Sequence, residues 1–270
     1  HIPRPSLSKR MLIIGGNGKM GRWMADFFEA RGHRIRVYDI SDSDKFPMER
    51  DLERGVRDAE VVVIATPISV TAGVLERITE LRTEALVFDI ASIKSPLQAA
   101  LRRGASEGLL MCSLHPMFGP DTYSIIDRNV VLCNCGSSEA VDKARELVDG
   151  ANIMEMDVEE HDPIMAYVLG LGHAVNIAFF ESLRASGRSF EELNKAASTT
   201  FQRQVETSSD VASENAQLYY EIQNMNPYNA EALAYLQKAL EDIRAAGDNG
   251  DREAFERMMT DGREYFGGSE

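Results

Sequence analysis

A glycine-rich segment near the amino terminus constrains the fold more than any other feature of this chain. The segment is GGNGKMG, with Gly16, Gly18 and Gly21 in the pattern GxGxxG. That pattern alone is a weak signal, but here it joins an apolar run over 11–16 to an amphipathic pattern over 19–32. Together they predict a buried strand, a tight turn and a helix whose first N–H groups can bind phosphate. A purely structural turn is the alternative.

The rest of the first half repeats this alternation of strands and helices. Short runs of β-branched and apolar residues, mostly separated by helical or turn segments, predict a mainly parallel sheet covered on both faces. The predicted strands after the first are 34–40, 59–66, 85–91, 109–115, 129–135 and 152–157. This order is typical of an α/β protein with a doubly wound, Rossmann-type sheet.

The pattern changes near residue 157. From residue 159 onward the helical period dominates, so we predict a linker over 1–10, a Rossmann-type domain over 11–157 and an all-α domain over 158–270. A helix over 161–184 in the second domain is apolar nearly all round. We expect it to be buried between subunits as well as within one.

Composition and charge narrow the class of protein. The 270 residues are 44% hydrophobic and carry a net charge of −14, which argues against nucleic acid or an anionic membrane as a partner. No apolar run is expected to reach the length of a membrane span, and no signal peptide is indicated. Three cysteines without a disulfide framework favour a reducing cytoplasm. The start, HIPRPSLSKR, is interpreted as a linker within a longer polypeptide.

The glycine segment and the end of the second strand together predict a dinucleotide site. Gly16 allows the tight turn, Gly18 lets the backbone approach a pyrophosphate and Gly21 lets the helix pack on the strand. Asp39 ends the second strand, where a carboxylate can accept the ribose hydroxyls of NAD; a turn-forming role is the alternative. Arg36 leaves NADP open. The predicted cofactor-binding residues are completed by Asn17, Lys19, Met20, Thr66 and Pro67.

A second segment, SLHPMFGP, places His115 where a strand ends. Doubly wound sheets bind ligands at the carboxyl ends of their strands. An imidazole there can accept an alcohol proton while hydride passes to a nicotinamide, because its pKa is near neutrality. A strand-end histidine bonded to a backbone carbonyl is the alternative. His1 and His33 are expected to be exposed in a linker and a turn.

These segments resemble the prephenate dehydrogenase family. GGNGKMG, DIASIKSPL, SLHPMFGPD and EHDPIMAYVLGLGHAV carry the resemblance, which covers nearly the whole chain. HPMFGP is highly specific, whereas the glycine segment is not. The sequence is most similar to the dehydrogenase part of bifunctional chorismate mutase–prephenate dehydrogenases, in which a Pro-containing linker precedes the glycine segment.

The resemblance implies NAD-dependent oxidative decarboxylation of prephenate to 4-hydroxyphenylpyruvate, a step of tyrosine biosynthesis, by a homodimer joined through its helical domain. It implies that His115 is the catalytic histidine, bonded to the C4 hydroxyl of the substrate, and that Ser92 contacts the same hydroxyl. Ser92 is alternatively a helix N-cap. Asp121 matches an acidic residue near the substrate entrance, and His173 matches a pocket-lining histidine. A buried core histidine is the alternative for His173.

The cation that binds the anionic substrate is left open. Aligned with the family without gaps, Asp210 and Gln202 stand where bifunctional members have arginines. Arg203 and Lys94 are therefore the candidate cations, although Arg203 also suits a solvated helix face. Other interpretations stay open: arogenate or 4-amino-4-deoxyprephenate as substrate, a non-catalytic NAD- or tyrosine-binding regulatory domain, and a generic hydroxyacid or imine reductase.

The neighbouring residues His161 and Asp162 are interpreted as a helix cap or a domain-joining contact rather than as chemistry. No metal site is expected. His161 and His173 are 12 residues apart (173 − 161), about 120° around a helix, and no HExxH or CxxC spacing occurs.

Overall fold

The computed structural model describes residues 8–268, so most of the predicted linker over 1–10, including His1, lies outside the described residues. Two compact units are present. The first contains the described chain up to Met165 together with Asn215–Pro227. The second contains Ala166–Glu214 and the described residues from Tyr228 onward. The predicted domain bounds at 10 and 157 stay a prediction.

The first unit is built on a seven-stranded sheet within the described residues. Its strands are β1 Arg10–Ile14, β2 Arg34–Tyr38, β3 Val61–Ile64, β4 Leu86–Asp89, β5 Leu110–Pro116, β6 Asn129–Asn134 and β7 Asn152–Asp157. Their order is β2-β1-β3-β4-β5-β6-β7. Neighbours are parallel except β5 and β6, which are antiparallel. Because β1 lies between β2 and β3, the winding reverses there, as in doubly wound sheets.

The helices in the described part of the chain lie between the strands and then make up the rest of the fold. They are α1 Lys19–Ala30, α2 Leu52–Asp58, α3 Ile68–Leu81, α4 Gln98–Ser106, α5 Ser138–Leu147, α6 Val158–Met165, α7 Gly172–Ala185, α8 Phe190–Lys195, α9 Thr199–Ala212, α10 Ala216–Met225, α11 Asn229–Asn249 and α12 Arg252–Tyr265. A 3₁₀ turn, Ser95–Leu97, precedes α4, and a π-helical turn, Ala166–Leu171, joins α6 to α7.

The apolar strands are explained by burial on both faces of the sheet. Every residue of β3 and β4 is buried. Phe28 of α1, Phe88 of β4 and Leu114 of β5 belong to one buried cluster. Burying a side chain of this size stabilises a fold by roughly 1.5–3 kcal/mol. The predicted α/β sheet followed by a helical part is confirmed.

His33 differs from its prediction, because it is buried rather than exposed to solvent. Only 6% of the residue is accessible. Its Nδ1 accepts the backbone N–H of Lys9 at 3.0 Å, and its ring packs edge-on against Phe28. Burial lowers the pKa of His33, since the charged imidazolium would lose hydration there.

The predicted long apolar helix is a continuous helical run, Val158–Ala185. The expectation that no segment reaches membrane-spanning length is wrong for this run, which would suffice by length and composition alone. No residue of α7 is fully buried within the described chain, and Val168 and Val175 are exposed. Burial within one subunit is therefore incomplete, and burial between subunits stays a prediction.

Candidate active site

Glycines shape the turn between β1 and α1. Gly15 has a φ of +80°, a left-handed conformation that favours glycine. A Cβ on Gly21 would lie 2.3 Å from the Gly15 carbonyl oxygen, so Gly21 allows the helix to pack on the turn. The predicted role of Gly16 needs correction, because the left-handed residue is Gly15. At Gly16 a Cβ would lie 2.8 Å from the Val37 side chain, so close packing is what requires glycine there.

The open side of this turn fits the phosphates of a dinucleotide. α1 begins at Lys19 after Gly18, with no side-chain cap for its first N–H groups. A Cβ on Gly18 would meet nothing closer than 3.5 Å, which leaves space beside the loop. Asn17 Oδ1 is buried without a hydrogen-bond partner among residues 8–268. Lys19 is exposed and Met20 half-buried. Uncapped helix N–H groups are suitable donors to phosphate.

Asp39 lies beside this turn, as the spacing predicts. Its Oδ2 accepts the backbone N–H of Asn17 at 2.9 Å, and its Oδ1 accepts that of Ser41 at 3.1 Å. The carboxylate therefore both forms a local turn and holds the glycine loop against the end of β2. The guanidinium of Arg36 lies 3.4 Å from the buried carboxylate of Glu49. Arg36, the cation for which NADP was kept as an alternative cofactor, is therefore paired with Glu49.

Thr66 and Pro67 lie in the loop between β3 and α3, next to the glycine turn. A Cβ on Gly15 would lie 2.7 Å from the carbonyl oxygen of Ala65. The hydroxyls of Thr66 and Thr71 are 2.9 Å apart, and Thr71 also donates to the Pro67 carbonyl at 2.9 Å. The structure thus brings this loop to the same edge of the sheet as the glycine turn.

Ser92 and His115 follow neighbouring parallel strands. Asp89, at the end of β4, pairs in register with Ser113 of β5. Ser92 lies in the loop just after Asp89, and His115 lies just after Ser113, so both reach the carboxyl edge of the sheet. Ser92 is half-buried, and His115 is 4% exposed. The alternative role of Ser92 as a helix cap is wrong, since the cap position of the first turn is Lys94.

His115 contacts a second histidine that the sequence analysis had assigned no chemistry. Nδ1 of His115 lies 2.8 Å from Nε2 of His161, and Nδ1 of His161 lies 2.7 Å from Oδ1 of Asp162. All three side chains are buried. The expected cap or domain-joining contact is thus corrected in part: Asp162 does hold backbone N–H groups, those of Lys94 and Ser95, but His161 links it to His115.

Burial sets the charge state of this group of side chains. It lowers the pKa of His115 well below the ordinary histidine value of 6.5, with the neighbouring His161 and Lys94 acting in the same direction. Burial also lowers the pKa of His161, against the opposing hydrogen bond to Asp162. Burial alone would raise the pKa of Asp162, but hydrogen bonds from His161, Ser95 and the Lys94 backbone lower it. At neutral pH two neutral imidazoles therefore lie beside one carboxylate.

Lys94 does not lie where a substrate cation would have to lie. Its side chain is fully buried, and its Nζ donates to Asp89 Oδ2 at 2.8 Å and to the Leu114 carbonyl at 2.7 Å. The predicted substrate contact by Lys94 is therefore wrong. Instead, Lys94 ties the loop carrying Ser92 to the strand carrying His115.

The remaining predicted substrate residues lie on three separate elements. Asp121 is exposed in the loop between β5 and β6. His173 on α7 is half-buried in the second unit, and burial lowers its pKa. Arg203 on α9, also in the second unit, is exposed, as are Gln202 and Asp210. The roles of these residues stay predictions.

An aromatic cluster holds the loop after His115 against the helix after the glycine turn. Trp23 on α1 donates its indole N–H to the Thr122 carbonyl at 2.7 Å. Its ring stacks on Phe27 at 5.3 Å and tilts against Phe118 at 4.8 Å. The predicted cofactor helix and the loop that carries Asp121 are thus directly joined.

Within residues 8–268, other possible donor groups do not form a site. No group of three or more His, Cys, Asp or Glu residues there is arranged to hold a metal ion. The three cysteines are free thiols and buried, and burial raises the pKa of Cys133 to about 12. These thiols pack in the core rather than contributing a nucleophile.

His161 is the functional candidate that sequence reasoning missed. Its contact with His115 spans 46 residues of chain, and no spacing rule predicts such a pair. The available signal was local: two ionisable residues, His161 and Asp162, occur together at the start of a mostly apolar helical run. Buried ionisable groups are rare unless paired, so these two residues indicate partners elsewhere in the fold.

Comparison with known proteins identifies the family. A family model described as "Prephenate dehydrogenase, nucleotide-binding domain" matches residues 31–154, and one described as "Prephenate dehydrogenase, dimerization domain" matches residues 157–261. The first match begins after the glycine turn. The chain is also similar in fold to a prephenate dehydrogenase from A. aeolicus solved with hydroxyphenyl propionate and NAD+. That likeness has a TM-score of 0.77 at 18% identity and covers 97% of this chain and 99% of the other.

Three relatives extend the comparison over the whole chain. A probable arogenate/prephenate dehydrogenase from Methanocaldococcus jannaschii is 28% identical over 94% of this chain and 60% of its own length. The T-protein of Enterobacter agglomerans is 28% identical over 95% and 67%. A 4-amino-4-deoxyprephenate dehydrogenase from Streptomyces pristinaespiralis is 26% identical over 97% and 93%. The chain thus spans about two thirds or less of the length of the first two relatives.

A Rossmann-type sheet that matches a nucleotide-binding domain, followed by a helical part that matches a dimerization domain, defines a two-domain nucleotide-binding protein. The chain belongs to the prephenate dehydrogenase family.

Proposed function

We propose that this protein catalyses the NAD-dependent oxidative decarboxylation of prephenate to 4-hydroxyphenylpyruvate, in the tyrosine branch of biosynthesis. The observation that carries the proposal is the placement of His115. It is a buried imidazole at the carboxyl edge of the sheet, with Nδ1 occupied by His161, so that Nε2 remains to meet a reacting proton. The names of the relatives and of the matched family models support the same chemistry.

NAD supplies a hydride acceptor when it is bound. The uncapped start of α1 and Gly18 would hold its pyrophosphate, and Asp39 would accept its ribose hydroxyls. His115 Nε2 accepts the proton of the C4 hydroxyl, and the Ser92 hydroxyl orients the same oxygen. A neutral His115 is required, and its lowered pKa keeps it neutral at physiological pH.

The bonds and electrons of the reaction balance without a further reactant. As His115 takes the hydroxyl proton, the O–H electron pair forms a C4=O bond. The C4–H bond breaks at the same carbon, and its electron pair leaves with hydrogen as the hydride that bound NAD would accept. The bond from the ring to its carboxylate then breaks, carbon dioxide leaves, and that electron pair enters the ring. The proton held at Nε2 of His115 returns to the C4 oxygen, giving a neutral phenol. Because the ring becomes aromatic, the protein need only orient the substrate and hold this proton.

The decisive experiment measures steady-state turnover with NAD on prephenate, arogenate and 4-amino-4-deoxyprephenate. We expect kcat/KM to be highest for prephenate. A preference of more than tenfold for either amino substrate would overturn the prephenate assignment while leaving the hydride chemistry. The second candidate is 4-amino-4-deoxyprephenate, favoured by the length coverage of the Streptomyces pristinaespiralis relative. Tight NAD binding without turnover on any of the three would instead favour a regulatory domain.

The substrate's carboxylates need a cation, and Arg203 is the remaining predicted one. Its exposed position on α9 leaves the guanidinium available. We expect Arg203→Ala to raise KM about tenfold or more with little change in kcat, since a charge-assisted hydrogen bond contributes roughly 1.5–3 kcal/mol. An unchanged KM would place Arg203 on a solvated helix face.

The protein is expected to act as a homodimer through its helical part. The described chain leaves α7 without a fully buried residue, and the match to residues 157–261 is with a dimerization domain. Sedimentation velocity over a range of concentrations tests this. A protein that stays monomeric at micromolar concentration would contradict it. The cytoplasmic assignment remains a prediction, with which the three free thiols agree.

A further inference from the structure

We propose that Asp162 and His161 are positioning residues that hold His115 in the single tautomer able to act as a base. The inference rests on the proposed function, in which His115 takes the substrate proton at Nε2. It adds two residues to the reaction, neither of which needs to touch the substrate.

Asp162 is a carboxylate surrounded by donors. Its Oδ1 accepts the Lys94 backbone N–H at 2.9 Å. Its Oδ2 accepts the Ser95 N–H at 2.6 Å and the Ser95 hydroxyl at 2.5 Å. A carboxylate accepts hydrogen bonds at both oxygens, whereas a protonated acid or an amide would clash with one of these donors. These contacts keep Asp162 ionised and fix the position of Oδ1 next to His161.

An ionised Asp162 determines the tautomer of His161. Nδ1 of His161 lies 2.7 Å from Oδ1, an acceptor, so Nδ1 must carry the hydrogen. A neutral imidazole has one N–H, and burial keeps His161 neutral. Its Nε2 is therefore an acceptor. The His161 ring is fully buried, so water cannot reverse the donor and acceptor roles of its two nitrogens.

The same logic determines the tautomer of His115. Its Nδ1 lies 2.8 Å from the His161 Nε2 acceptor, so Nδ1 of His115 carries the hydrogen. Nε2 of His115 is then left with a free lone pair, the form needed to accept a proton. Isolated imidazoles do not strongly prefer this form, so the neighbouring residues must select it.

The surrounding charges favour neutral imidazoles that fix the tautomer of His115, rather than a protonated imidazole that passes charge between the side chains. Lys94 opposes protonation of both imidazoles, and Asp89 neutralises Lys94 through an ion pair at 2.8 Å. His161 and Lys94 bear directly on the His115 pKa, and Asp162 and Asp89 bear on the pKa of His161. The arrangement of these groups favours two neutral imidazoles, each in one tautomer, over a permanently protonated imidazole.

A matched pair of variants separates positioning from packing. His161→Leu removes the acceptor for His115 Nδ1–H, and His161→Gln keeps an amide oxygen within reach of it. We expect kcat with the best of the three substrates to fall about 100-fold in His161→Leu and to recover at least tenfold in His161→Gln. KM and NAD affinity should change less than threefold in both variants. Equal losses in the two variants would overturn the proposal.

Nitrogen-15 NMR of the histidine side chains supplies a readout that does not depend on turnover. We expect the His115 signals to report a protonated Nδ1 in the wild type and a protonated Nε2 in Asp162→Asn and His161→Leu. His33→Asn and Glu49→Gln are the controls, since they alter a buried histidine and a buried carboxylate that do not contact His115. A protonated Nε2 on His115 in the wild type would overturn the proposal directly.

The failure of this inference is distinguishable from failure of the proposed function. Loss of turnover in His115→Asn together with wild-type kcat in His161→Leu would end the positioning role and leave the reaction intact. Full turnover in His115→Asn would end both.

Discussion

The two edges of the sheet in the first unit differ in how their polar groups are buried and paired. At the carboxyl edge, His115, His161, Asp162 and Lys94 are buried, and each has close hydrogen-bond partners. At the amino edge lies a groove of about 1000 Å³. It is lined by the first residues of several strands and by charged side chains that pair at the surface, such as Arg57 with Glu53.

The difference teaches that cavity size is a poor guide to the site in this fold. A groove of about 1000 Å³ lies where strands begin, although doubly wound sheets bind ligands where strands end. Exposed ion pairs like those of the groove contribute about 0–1 kcal/mol and specify little. Buried ionisable groups cost desolvation energy, and such groups are concentrated at functional sites.

The largest effect is expected at the carboxyl edge, from His115→Asn. Turnover should fall by roughly 10²–10⁴, the contribution of a general base, while NAD affinity is unchanged. Stopped-flow single turnovers and NAD titration measure the two quantities. In the wild type, the acid limb of kcat/KM should lie below pH 6.5, because activity needs the neutral imidazole and burial lowers its pKa. Collapse of NAD binding in the variant would instead make His115 a structural residue.

The next effect concerns Glu49, a buried carboxylate that pairs with arginines instead of histidines. Arg54 lies 2.8 Å from Glu49, and its hydrogen bond is the main cause that lowers the Glu49 pKa from 4.5 to about 2. Glu49 therefore stabilises the fold above its ordinary pKa, and this contribution is lost as pH falls towards 2. Urea unfolding of Glu49→Gln should show a loss of about 2 kcal/mol at neutral pH, and the gap from wild type should narrow in acid. A pH-independent difference would contradict this assignment.

A smaller effect is expected from Asp39→Ala beside the glycine turn. Removing the carboxylate should weaken NAD binding about tenfold, the value of one hydrogen bond to a charged group. It should also reduce discrimination against NADP, whose 2′-phosphate the carboxylate repels. Isothermal titration with both dinucleotides provides the comparison. Unchanged preference would leave Asp39 with only its contacts to Asn17 and Ser41.

The smallest effect should come from the amino edge. Arg57→Ala removes an exposed ion pair in the groove. We expect kcat/KM within twofold of wild type and stability within about 0.5 kcal/mol, because surface substitutions rarely cost more. A large loss of turnover would contradict the expected difference between the two edges and would indicate that the groove takes part in function.

Features carried by local pattern were predictable from the sequence. The glycine turn, the run of strands and the change to helices depend on neighbours in the chain, and so did the placement of His115 at a strand end. The seven strands lie within a few residues of their predicted positions. The left-handed residue was misplaced by one position, from Gly15 to Gly16, because adjacent glycines offer the same freedom.

Features that depend on distant contacts were missed. The charge of Lys94 predicts a substrate ligand, because the sequence does not indicate its buried partner Asp89. His33 was expected in solvent because its turn is polar, although Phe28 and the backbone of Lys9 cover it. The contact between His115 and His161 forms only when a helix packs beside the end of β5. No periodicity encodes such a contact.

Trp23 gives the unmodified protein its own optical reporter. It is the only tryptophan of the chain, and its indole N–H bonds the loop that follows His115 while its ring lies on the helix that follows the glycine turn. Emission from this single fluorophore should respond when that loop loosens or when reduced nicotinamide, which absorbs where indole emits, occupies the site. Ligand arrival could therefore be timed without attaching a label.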